Sequence, residues 1–101
     1  MKRFIKIHGK KVSLIKDKEL ASKGLLGRCL TDKCEIRYSP EQTPASVGDS
    51  ILHEVLHFIS FDAHLELTER QVGALATLLF GVIVENRELF NELLDGYKSI
   101  R

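Results

Sequence analysis

Two histidines bracket a glutamate at residues 53 to 57, within the stretch ILHEVLHFISFDAH that runs from Ile51 to His64. Residues four apart on a helix lie one turn apart on the same face, about 6 Å along the axis. Two imidazoles so placed can both turn towards one metal ion. Glu54 is next to His53 and about 100° further round the helix. It can lean over an open coordination position without filling it, and there take a proton from water made acidic by the metal. His53 and His57 are therefore the candidate ligands, zinc the candidate ion, and Glu54 the candidate general base. On a helix this motif is specific, since chance supplies it in well under about 1% of chains this long. The competing reading is an amphipathic helix with two spare histidines on its polar face. Apolar Val55, Leu56, Phe58 and Ile59 surround the pair, as a half-buried site requires.

Two histidines and a water leave one protein ligand to be found. His64 lies seven residues beyond His57, about 10.5 Å along a continuous helix, which is too far. A sharp turn of the metzincin kind would need glycine and histidine where this chain has Ser60 and Ala63. Glu69 is the better candidate. It follows the cap residue Thr68 and shares a helix face with Val72 and Ala76, so it points to the core side. A carboxylate there is costly unless it is paired or bound to metal. Favourable charge at a helix N-terminus also accounts for an acid at this position, and Glu66 and His64 remain substitutes as ligand.

The elements that must position these residues can be read along the chain. RFIKIHGKKVSLIK alternates apolar and polar residues around His8-Gly9-Lys10, a hairpin signal. KDKELASKG is a polar connection with room for one helical turn. A second hairpin joins GLLGRCL to CEIRYS through Thr31-Asp32-Lys33 and ends at Tyr38, closed by Ser39-Pro40. Thr43-Pro44 is an N-cap and first-turn pair, and the active helix follows it. Thr68-Glu69-Arg70-Gln71 is a capping box. It opens a second helix through the apolar run from Val72 to Val84, which is too short to span a bilayer and reads as a buried core helix. Gly73, Thr77 and Gly81 form a small-residue stripe on it, read as core packing rather than as a dimer face. Asn86 is expected to cap a third helix, RELFNELLD, stopped by Gly96. The order β-β-β-β-α-α-α is α+β, an antiparallel-rich sheet of two hairpins followed by three helices.

Composition sets the outer bounds. A chain of 101 residues is expected to form one domain, residues 1–101. A net charge of +1 without a basic block argues against nucleic acid as a partner. No apolar leader follows the N-terminus, and two cysteines without one point to a reducing, cytoplasmic setting. Cys29 and Cys34 read as small buried side chains rather than a disulfide or a second metal site. His8 reads as a solvated turn residue. Tyr38, Tyr97 and His64 are candidate oxyanion donors, with nothing in the spacing to select one.

SILHEVLHFIS, LELTERQVGALATLLFGVI and ENRELFNELL, with GRCLTDKCEIRYS upstream, resemble a family of small phage and prophage zincin-like proteins. At the active helix these look related to ImmA/IrrE-type and SprT-like metallopeptidases. The resemblance covers roughly residues 25 to 95, about two thirds of the chain. It implies a minimal zincin fold of gluzincin type, with His53, His57 and Glu69 holding zinc and Glu54 as base. It also implies peptide binding by strand addition to a sheet edge, for which CEIRYS is the expected strand. The function expected is zinc-dependent amide hydrolysis in a protein or peptide substrate. The alternative is a catalytically silent zincin-fold binding or regulatory protein that keeps the metal and cleaves nothing.

Overall fold

The computed structural model describes residues 3–100, with side chains through Tyr97. The fold is α+β: a four-stranded sheet followed by three helices. The first hairpin pairs β1 (Arg3–Ile7) with β2 (Lys10–Lys16) in antiparallel register, Ile5 opposite Val12. His8 (φ 51°) and Gly9 (φ 78°) make its two-residue turn, where a primed turn needs positive φ at both positions. The second hairpin pairs β3 (Gly27–Leu30) with β4 (Glu35–Tyr38) around a 3-10 turn at Thr31–Lys33. The polar connection between the hairpins contains one 3-10 turn, Ala21–Lys23.

The two hairpins join through β2 and β4, which run parallel, Leu14 opposite Ile36, so the strand order is β1-β2-β4-β3. This corrects the expected docking edge. CEIRYS is β4 and lies inside the sheet, and the free edge on that side is β3. Periodicity identifies strands but not which strand of one hairpin meets the other.

Strand alternation gives the sheet one apolar face. Ile5, Ile7, Val12, Leu14, Cys29 and Ile36 project to one side and pack with Val55, Phe58 and Ile59 of α1 (Pro44–Asp62). The opposite face is polar, where Arg37 meets Glu35 at 3.0 Å and Asp17 at 3.3 Å. Cys29 stands opposite Ile36 in the ladder, and both cysteines are free and half-buried. The Thr43 hydroxyl accepts from Ser46 N and starts α1. Thr68 and Gln71 form the reciprocal capping box of α2 (Glu69–Glu85).

Further readings need correction. The first concerns the apolar run of α2. Only Val72 and Ala76 are buried, while Leu75, Leu78, Leu79, Val82 and Val84 are 41–69% exposed. The sheet already covers one side of α1, α2 packs on another, and α3 (Arg87–Ile100) touches α2 only lightly. Gly96 does not end α3, which continues to Ile100; glycine costs a helix about 1 kcal/mol but does not forbid it. Asn86 stands at the N-cap position of α3, as expected, but its side-chain amide serves the helix before it, donating to Val82 O at the end of α2. Its carbonyl accepts from Phe90 N of α3.

His8 is not merely solvated. Its Nδ1 lies 2.9 Å from Asp62 Oδ2, and Lys10 pairs with the other oxygen, so the tip of the first hairpin is tied to the last turn of α1. Hydrogen bonds from Lys10 and then His8 hold the Asp62 carboxyl below its ordinary value of 3.8. A carboxyl lowered on folding stabilises above its unfolded pKa, and that contribution fades as pH falls through the folded value. Asp62→Asn is therefore expected to melt below the wild type at neutral pH. The gap should close on acidification below about 3.8, read by thermal unfolding across pH. By contrast Phe58→Ala, at a side chain 2% exposed, should cost about 3–5 kcal/mol at any pH.

Candidate metal centre

Helical periodicity divides the work along α1. Ser50, Glu54 and Phe58 form its buried stripe, spaced four apart and therefore facing the sheet together. His53 and His57 lie one position round and face α2. They pack beside Gly73, where an added Cβ would make ordinary contact at 3.7 Å from His53 Cε1.

A tight reversal brings α2 back along α1. The Ser60 carbonyl accepts from Leu65 N and the Ser60 hydroxyl accepts from Leu67 N, each at 2.9 Å. His64 (φ 55°) and Glu66 (φ 56°) turn the chain through left-handed conformations. Both are exposed. The reversal ends at Thr68, and Glu69 follows as the first residue of α2.

That placement sets Glu69 between the two imidazoles. His53 Nε2 is 2.7 Å from Glu69 Oε1, His57 Nε2 is 2.7 Å from Oε2, and the two Nε2 atoms are 3.2 Å apart. All three donors lie within 4.8 Å of one another, and among the described residues this is the group able to hold a metal ion. Two nitrogens and one carboxylate oxygen are a donor set that suits zinc. Ligands 2.0–2.1 Å from one tetrahedral ion stand about 3.3 Å apart, close to the histidine spacing here. His64 and Glu66, the substitutes for Glu69, are not in this group.

The two glutamates of the site are in opposite electrostatic situations. Burial pushes the Glu54 carboxyl up, and nearby Glu69 adds to that, while His53 and His57 pull it down without cancelling the rise. Desolvation works upward on Glu69 too. But that side chain is 73% exposed, and the two imidazoles hold its carboxyl below the ordinary range. The two carboxyls of the site are thus shifted in opposite directions, Glu69 down and Glu54 up.

Room for Glu54 comes from Gly27 on the edge strand. A Cβ there would stand 3.0 Å from both Glu54 Cγ and Oε2. Sequence reading passed over this residue, although a glycine inside a strand signals close approach. A cleft of about 560 Å³ opens between β3 and the two helices, lined by Gly27, Arg28, Cys29, Glu54, His57 and Glu69. Burial, and then the charge of Glu54, push the Cys29 thiol up to about 11. It is therefore no nucleophile at neutral pH. Tyr38 is buried on the inner sheet face, Tyr97 lies on α3 and His64 in the reversal; none of the three lines this cleft.

Compared with protein-family models, curated proteins and solved structures, the chain matches none. Among the described residues no helix is long and apolar enough to cross a membrane.

Metal content tests the trio directly. One equivalent of zinc is expected per chain, and His53→Ala or His57→Ala should remove it. Glu69→Ala should weaken binding at least ~100-fold, since even the outer partners of ligands are worth 10–100-fold. His64→Ala and Glu66→Ala should be silent. The measurement is metal stoichiometry by mass spectrometry with competition against a chelator.

Proposed function

We propose that this chain is a zinc-dependent peptidase of phage or prophage type, acting in the cytoplasm on an amide bond of a protein substrate. One observation carries the reading. Three candidate ligand groups, His53, His57 and Glu69, converge beside a second carboxylate, Glu54, that is buried and whose pKa burial pushes up. A structural metal site needs no such neighbour; hydrolysis does. The resemblance of the active helix and its flanks to zincin-like proteins supports the same conclusion.

Each residue then has a distinct task. His53, His57 and Glu69 would hold the ion. Zinc bound there supplies a Lewis acid that polarises a carbonyl and acidifies water. Glu54 would take a proton from the attacking water and later give it to the leaving amine. Its burial under Gly27 raises its basicity and fixes its position. The free edge of β3 offers backbone groups for an extended peptide to pair with. Such a strand would run along the cleft past Glu54.

Glu54→Gln keeps the size of the side chain and removes its basicity. It is expected to bind a full equivalent of zinc while losing hydrolysis by about two to four orders of magnitude. The variant serves as bait in host or phage-infected lysate, and captured proteins are then exposed to the zinc-loaded wild type. Specific cleavage of a captured protein is the expected result. Partners that survive uncut, with zinc confirmed in place, would instead identify a zincin-fold binding protein.

A further inference from the structure

A second, smaller pocket of about 260 Å³ adjoins the metal centre. It opens between the segment before β3 and the α1 turn that precedes His53. Leu25 and Leu26 give it apolar walls, and Asp49 and Ser50 line it from α1. The wall is fastened: Ser39 N donates to Leu26 O at 2.9 Å, and the Gln42 amide reaches the same oxygen at 3.3 Å. The Ser50 hydroxyl donates to Gln42 Oε1 at 3.0 Å.

Asp49 has no such partner. The side chain is half-buried: its Oδ1 is closed off from solvent and accepts no hydrogen bond, and no cation pairs with the carboxylate among the described residues. Buried polar atoms in folded proteins are almost always satisfied, and an orphan calls for an explanation. The pocket holds three carboxylates, of Asp49, Glu54 and Glu69, and no lysine or arginine lines it. Glu69 is occupied between the imidazoles, and Glu54 has the proton to handle. The charge on Asp49 is answered by nothing in the protein.

We propose that this pocket is a specificity subsite that takes a lysine or arginine side chain of the substrate, with Asp49 as its counter-ion. The inference rests on the peptidase reading, because the pocket shares His53, Glu54 and Glu69 with the metal centre. The aliphatic stem lies along Leu25 and Leu26, and the cationic head meets Asp49. The volume admits one long side chain and not a whole ligand. A peptide paired to the β3 edge passes the mouth of this pocket. A basic residue beside the scissile bond is then selected by charge as well as by shape. Leaving this half-buried carboxylate without a counter-ion is the penalty that rejects a neutral substitute.

The test reads binding without turnover. The zinc-loaded full chain carrying Glu54→Gln is titrated against labelled hexapeptides that differ at one central residue: lysine, arginine, norleucine or glutamate. Fluorescence anisotropy gives the affinities. Lysine and arginine peptides are expected to bind at least ten-fold tighter than the norleucine peptide. Adding Asp49→Asn should erase that advantage and leave the norleucine affinity unchanged, and Asp49→Lys should turn the preference to glutamate. Asp49→Ser serves as a second neutral variant should the amide disturb folding, checked by circular dichroism. Equal affinity for lysine and norleucine peptides, a preference that survives the loss of Asp49, or no binding by any of the four overturns the proposal. Because nothing is cut, these outcomes are distinct from failure of the peptidase reading, which shows as captured proteins left intact by the wild type.

Discussion

The packing of α1 on the sheet is the contact on which the site depends. Phe58 enters the core formed by Ile7, Val12 and Ile36, and this fixes the rotation of the helix about its own axis. Glu54 lies one turn earlier on the same buried stripe. Driving Phe58 into the core therefore carries a carboxylate to the sheet edge. That would be a costly burial of charge, except that Gly27 has no side chain there and a cleft opens beside it. Rotation by one position, from the same contact, presents His53 and His57 to α2. The hydrophobic effect supplies the force, and the 3.6-residue period converts it into the orientation of three polar side chains.

Environment separates carboxyl groups of ordinary intrinsic acidity into different roles. Glu54 is raised by burial, and Glu69 is lowered because two imidazoles face it. Pairs of acids pushed apart in this way are suited to different tasks. Burial of one and the two imidazoles facing the other achieve the separation with one residue type.

Much of the fold is legible in the chain because its signals are local. The His8-Gly9 turn, the Thr43 cap, the capping box at Thr68 and the strand ending at Tyr38 each depend on residues a few positions apart. The trio is legible for the same reason, since helix geometry and one cap place His53, His57 and Glu69. What escaped depends on distant partners. The parallel pairing of β2 with β4 leaves no mark on either strand's alternation, so the sequence does not reveal that β3, not β4, is the exposed edge. The apolar run of α2 looks like a core helix because sequence reports hydrophobicity and not whether anything remains to cover it. The link from His8 and Lys10 to Asp62 joins residues more than fifty positions apart.

Glu69 occupies the first turn of α2, and the other two members of the trio sit on α1. Any cation held there is a cross-link between two helices across the short reversal from Ala63 to Thr68. The affinity of such an ion is then also a contribution to folding, because the separated helices present no preformed site. Occupancy would favour the folded state by mass action. It would bear most on α2 and α3, which have few apolar contacts of their own to hold them against the sheet domain. A chelator would thus act on this molecule at two levels, removing an electrophile from the cleft and loosening the wall that encloses it.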